Sequence, residues 1–162
     1  MIRFRRVLII CHANTSRSVI AEALLKKMLQ DRPAGELICV ESGGIAPYAR
    51  DGALVSLDAR LVLRDEDIHL SPDHVATDLK SNRHLVGQAD LILAMTRQQI
   101  DMLRQGFAEA ADKPIYTLKE FAGEDGDIED PAGQDESVFA ACRDEIKACL
   151  ERVVDRLAPV TE

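Results

Sequence analysis

Four short runs of strand-forming residues, at 7–10, 37–40, 91–94 and 115–118, punctuate the chain, and a helical stripe follows each of them. Val7-Leu8-Ile9-Ile10 is continuously apolar and mostly β-branched, the pattern of a strand buried on both faces. Residues 18–30 then place Ile20, Ala21, Leu24, Leu25 and Met28 on one helical face. Residues 53–63 repeat the pattern with Leu54, Leu57 and Leu61. Thr96 is placed to cap a helix reaching about Gln105, and residues 138–157 carry Val138, Cys142, Ile146, Cys149, Val153 and Leu157 on one side. Gly43-Gly44 and Pro47 mark a loop, 65–78 is polar and holds Pro72, a short helix is expected over 78–87, and 123–137 is an acidic, glycine-rich loop. The order β-α-β-α-(α)-β-α-β-α implies an α/β fold: a three-layer α/β/α arrangement around a mostly parallel, four-stranded sheet. Nothing in 1–162 reads as a repeat or a linker, so one domain is expected. Ligands of such sheets bind at the carboxyl ends of the strands, the edge shared by the loops after Ile10, Val40, Ala94 and Leu118.

Composition narrows the function. The formal net charge is −8, and a nucleic-acid partner would require a basic footprint. No apolar run approaches the roughly 20 residues of a membrane span, and the one after Arg5-Arg6 is shorter than a signal peptide needs, so a cytoplasmic protein is expected. Cys11, Cys39, Cys142 and Cys149 form no Cys-x-x-Cys pair and read as free thiols, mostly buried. His12, His69, His74 and His84 show no metal-ligand spacing, and no metal or other cofactor is expected; His12, in a loop, is expected to face solvent.

The chemistry concentrates in the turn after the first strand, Cys11-His12-Ala13-Asn14-Thr15-Ser16-Arg17-Ser18. A loop between a buried strand and a helix can aim its backbone N–H groups at an anion, and the helix N-terminus adds partial positive charge. A cation is electrostatically misplaced at that end of a helix unless an anion sits beside it, so Arg17 reads as a planar fork for two phosphate oxygens. Cys11 would lie at the floor of this cradle. The thiolate is the reactive form, and a loop that holds an oxyanion also favours a charged sulfur. Ser18 can donate a hydrogen bond to that sulfur when it leaves. Asn14 tolerates the left-handed backbone of a tight loop. The loop residues His12, Ala13, Asn14, Thr15, Ser16 and Ser18 are therefore the expected phosphate contacts.

A second segment, Asp127-Ile128-Glu129-Asp130-Pro131-Ala132-Gly133, offers a general acid. Pro131 holds Asp130 extended, where its carboxyl could overhang the cradle, protonate a leaving group and then activate water. The plainer reading of Asp-Pro is a turn or a cap on the final helix.

Together these features resemble the low-molecular-weight protein tyrosine phosphatases, whose loop Cys-x-Gly-Asn-x-Cys-Arg-Ser-Pro-x-Ala-Glu is similar to Cys11–Glu22. Asn14, Arg17, Ser18, Ala21 and Glu22 match it, as do the stretch from Ala89 to Thr96 and the Asp130-Pro131 pair. The resemblance implies a phosphatase-I-like, Rossmann-like fold. It also implies metal-independent hydrolysis of a phosphorylated protein side chain or small phosphomonoester through a phosphocysteine, by a monomer or weak dimer. Ala13 stands for the family's loop glycine, Ser16 for its second cysteine and Val19 for its proline. Thr15 and the segment Tyr116-Thr117-Leu118-Lys119-Glu120 resemble the bacterial protein arginine phosphatases. Ala132-Gly133-Gln134, however, lacks the aromatic residue that both branches carry after Asp-Pro. Tyr48, in the loop after the second strand, is the candidate replacement wall. Two other functions fit the loop: a thioredoxin-linked arsenate reductase, which needs resolving cysteines that are missing between Cys39 and Cys142, and a phosphate-binding module without catalysis.

Overall fold

The computed structural model describes residues 2–160. Four parallel strands, β1 (Arg6–Cys11), β2 (Cys39–Gly44), β3 (Leu91–Ala94) and β4 (Ile115–Thr117), form one sheet in the order β2-β1-β3-β4. The helices are α1 (Arg17–Gln30), α2 (Leu57–Arg64), α3 (Arg83–Gln88), α4 (Arg97–Gly106), α5 (Leu118–Phe121) and α6 (Glu136–Leu157). Successive side chains of β1 point to opposite faces. Val7 and Ile9 join a core with Leu91 and Leu93, α1, α2, α5 and α6. Leu8 and Ile10 join a second core with Ile92, Ala94, α3 and α4. Two covered faces explain why β1 and β3 read as unbroken apolar runs.

The chain runs from β1 to β2 on one side and then crosses back past β1 to β3 on the other. The carboxyl ends of β1 and β3 thus flank the point where strand order reverses, the place where such sheets hold ligands. No described helix is long and apolar enough to cross a membrane.

Several expected elements shift. Residues 35–37 form a single 3₁₀ turn, and the second strand instead spans Cys39–Gly44, because Gly43 and Gly44 pair with Ile10 and Cys11 at the end of β1. A Cβ on Gly44 would lie 2.7 Å from the His12 carbonyl oxygen, so the close approach of two backbones, rather than a turn, is what requires glycine there. The second helix begins only at Leu57, capped by Ser56, whose Oγ accepts from Ala59 N. Leu54 and Leu57, expected on its apolar face, are 82% and 69% exposed. Val138 is also exposed, one turn into α6, while Cys142, Ile146, Cys149, Val153 and Leu157 are buried as their spacing requires. The short helix expected over 78–87 starts at Arg83, and α5 occupies residues assigned to the end of the fourth strand and its loop.

Candidate active site

The loop between β1 and α1 closes on the sulfur of Cys11, which is 3% exposed. Asn14 N donates to Cys11 Sγ over 3.3 Å. Asn14 itself has φ of +62°, the left-handed conformation that asparagine tolerates, whereas Ala13 is not among the residues of positive φ and so needs no glycine. No side chain caps α1 at Ser16, and its first turn holds no acidic residue, so its N-terminal amides face the loop without a competing anion.

A buried relay fixes how the sulfur is solvated. Thr77 N donates to Asn14 Oδ1 over 2.9 Å, which sets the amide's orientation. The two Asn14 Nδ2 hydrogens then reach Ser18 Oγ at 2.7 Å and Ser42 Oγ at 2.9 Å. Ser42 donates onward to Glu22 Oε1, and Lys26 Nζ reaches the other Glu22 oxygen at 2.6 Å. The Ser18 hydroxyl accepts from Asn14 Nδ2 and lies 2.8 Å from Cys11 Sγ, so when the sulfur is a thiolate, which can only accept, Ser18 is placed to donate its proton to it. Ser42, Thr77 and the role of Glu22 escaped the sequence reading. The available signal was Glu22 itself, a carboxylate among the buried residues of α1.

Arg17 is 3% exposed although it opens a helix. Its Nη1 donates to Ile128 O at 2.7 Å, and its Nη2 lies 3.2 Å from His12 Nδ1 and 3.6 Å from Asp130 Oδ2. Burying a guanidinium is costly without such partners. The loop that carries Asp130 is pinned beside it: Ile128 is fully buried with its N–H on Met95 O, and Asp127 Oδ1 accepts from Arg97 N at the start of α4. A lone apolar residue in an acidic loop was the sequence signal for that anchor. The final helix is capped by Asp135, which accepts from Val138 N, so the plain capping role for Asp130 does not apply. Asp130 Oδ1 accepts from Ala132 N, the local turn of the plain reading, and its side chain is half exposed over the cradle.

The depression above Cys11 is walled by His12, Ala13, Thr15, Ser16, Arg17, Tyr48, Asp130 and Ala132. Tyr48 is 67% exposed, so it can meet a bound group only from the rim. Asn14 and Ser18 lie beneath, in the relay. His12 corrects the expectation of a solvent-facing ring: it is half buried, with Nδ1 also 3.1 Å from Gln99 Nε2. Burial, then the neighbouring Arg17 charge, lower its pKa below 6.5, against a smaller opposing pull from Asp130. Cys142 and Cys149 are buried, and desolvation pushes both thiols up to about 11. Cys39 is exposed rather than buried, and it pairs with Arg6 at the far end of β1.

A buried thiol inside a turn with uncapped helix amides and an arginine, on the switch edge of a parallel sheet and under a carboxyl group, is the arrangement of cysteine-dependent phosphatases. Residues 6–160 match the model of the family described as low molecular weight phosphotyrosine protein phosphatase. A protein-arginine-phosphatase of Geobacillus stearothermophilus is 37% identical over 94% of this chain and 95% of its own. A low molecular weight protein-tyrosine-phosphatase of Staphylococcus haemolyticus, PtpB, is 34% identical over 79% and 82%. A solved YwlE arginine phosphatase, a serine variant carrying a phosphorylated active-site serine, superposes with a TM-score of 0.81 at 31% identity, covering 94% of this chain and 95% of that one. The chain belongs to the low molecular weight phosphotyrosine protein phosphatase family.

Proposed function

We propose that this phosphatase works through Cys11, Arg17 and Asp130, and that it prefers phosphoarginine to phosphotyrosine in protein substrates. The Cys11 thiolate attacks phosphorus, forming an S–P bond as the bond from phosphorus to the leaving nitrogen or oxygen breaks. Asp130, as the carboxylic acid, gives its proton to the leaving atom. Its carboxylate then takes a proton from water, whose oxygen attacks phosphorus. The S–P bond breaks, phosphate departs and the thiolate is restored. Arg17 and the loop amides bind the equatorial oxygens throughout, and the Ser18 hydroxyl, oriented by Asn14, receives the returning sulfur charge.

The observation that carries the substrate preference is the polarity of the rim. Thr15, Ser16 and Asp130 line the depression, Ala132 stands where an aromatic wall would be, and the one aromatic residue there, Tyr48, is mostly in solvent. A phenol ring gains from apolar contact, which this rim offers little of. A guanidinium leaving group is planar, charged and rich in N–H donors, and Asp130 can hold its charge. The arginine phosphatase among the relatives supports the same reading.

The test is a side-by-side assay of phosphoarginine and phosphotyrosine peptides with wild type and Thr15→Ile. Wild type should favour phosphoarginine, and the variant should move the ratio of kcat/KM toward phosphotyrosine by roughly 1–3 kcal/mol. An unchanged ratio would remove Thr15 from substrate choice.

A further inference from the structure

The His12 side chain takes no part in the bond-making steps proposed for Cys11, Arg17 and Asp130. The His12 ring sits between Arg17 of α1 and Gln99 of α4, with Nδ1 at 3.2 Å from Arg17 Nη2 and 3.1 Å from Gln99 Nε2. An arginine has no acceptor, so Nδ1 must accept from it. The Gln99 amide is oriented independently: its Oε1 accepts from Met95 N at 2.9 Å and Thr96 N at 3.3 Å, which turns Nε2 toward the imidazole. Both neighbours therefore donate to the same nitrogen. The ring must be neutral, with its proton on Nε2.

We propose that His12 is a positioning residue for Arg17: its Nδ1 ties the guanidinium to Gln99, a fully buried side chain fixed in the cap of α4, and so sets where the fork stands over Cys11. The inference rests on the reading of Arg17 as the group that binds the phosphoryl oxygens. The other two Arg17 contacts are to a backbone carbonyl and to a carboxylate: Ile128 O receives Nη1, and half-exposed Asp130 lies 3.6 Å from Nη2. Asp130 is the group that must serve the leaving atom, so it cannot also be the fixed brace. His12 supplies a brace that is independent of the catalytic cycle and rigidly connected through Gln99 to the end of β3. A doubly protonated ring would turn a donor toward Arg17 and Gln99 and lose both bonds. The charged groups facing the ring are Arg17, which opposes that protonation, and Asp130, which favours it more weakly.

The experiment combines a spectroscopic readout with two variants. In wild type with 15N-labelled histidine at neutral pH, the His12 ring should show an unprotonated Nδ1 and a protonated Nε2; a proton on Nδ1 would overturn the proposal without any variant. His12→Leu fills the space but offers no acceptor, and should weaken competitive inhibition by inorganic sulfate about tenfold, as expected for a lost bond to a charged group. His12→Asn, whose amide oxygen can reach the place of Nδ1, should recover sulfate affinity to within about threefold of wild type. Equal sulfate affinity in all three proteins, or equal weakening in both variants, would refute the positioning role. Turnover of p-nitrophenyl phosphate by wild type separately reports on the phosphatase reading, so the two can fail apart.

Discussion

The turns after β1 and β3 leave neighbouring parallel strands at the same sheet edge and both enter a helix, yet they end those helices in opposite ways. After β3, Thr96 Oγ1 accepts from Gln99 N while Gln99 Oε1 returns to the Thr96 N–H, and Asp127 takes the Arg97 N–H. The chain itself satisfies the amino end of α4. After β1, five residues intervene, Ser16 makes no side-chain cap, and the first turn of α1 contains a cation and no acid. A self-satisfied turn is a structural element. A turn whose helix amides no side chain caps, with an arginine at the helix start, is open to an external anion, which is the role proposed for it. Fold position alone does not separate the two; capping chemistry does.

The largest effect that could break this contrast is Cys11→Ser. Turnover should vanish, because a hydroxyl is a poor nucleophile at neutral pH, while sulfate still binds to the amides and Arg17. Substantial turnover would show that the open turn only binds. Next, Asp130→Ala should cost about 10²–10⁴-fold with poor leaving groups and much less with p-nitrophenyl phosphate. Equal slowing across leaving groups would move the general acid elsewhere, with Asp127 unsuited because its carboxyl caps α4. Closing the open turn from within is a sharper test: Ser16→Asp should place a carboxylate at the N-terminus of α1, raise thermal stability and weaken sulfate inhibition about tenfold. Unchanged sulfate affinity would mean that α1 contributes nothing to the cradle. Removing the cap of the other turn, Thr96→Ala, should cost about 1 kcal/mol, a fall of roughly 2–4 °C in Tm, with the leaving-group dependence of turnover preserved.

Oxidation separates the same turn from the other thiols. Cys39 pairs with Arg6, five residues along β1 from Cys11, so at about 3.3 Å per residue the two lie roughly 16 Å apart, too far for a disulfide. Ser16 replaces the cysteine that the family can use as a partner. Peroxide should therefore drive Cys11 to forms that added thiol does not rescue. Recovery of activity with a Cys11–Cys142 disulfide found by mass spectrometry would contradict this.

The sequence carried the sheet, the cysteine turn and the acid loop for local reasons. β1 is buried on both faces, so its residues are uniformly apolar, and the loop's Asn14 and Arg17 sit where a strand must give way to a helix. What it did not carry are contacts made across the fold. Gln99 reads as a helix-start glutamine, and only the pairing of β1 with β3, which sets the turns after them side by side, brings it to His12. Ser42 and Thr77 are ordinary polar residues until β2 and the 65–82 segment close behind Asn14. Leu54 and Leu57 have the spacing of an apolar helical face, but Ser56 caps α2 between them and leaves both at the surface. Residue spacing reports local periodicity; it does not report which face a neighbouring element will cover.

In the proposed reaction one phosphoryl group passes through one sulfur. Rapid-quench mass spectrometry of Asp130→Ala turning over an aryl phosphate tests this most directly, because slowing the second step should let the intermediate accumulate. A single phosphoryl group on the peptide containing Cys11, absent from Cys11→Ser under the same conditions, is the result predicted here. Turnover with Cys11 unmodified throughout, or a phosphoryl group found on another residue, would contradict the mechanism.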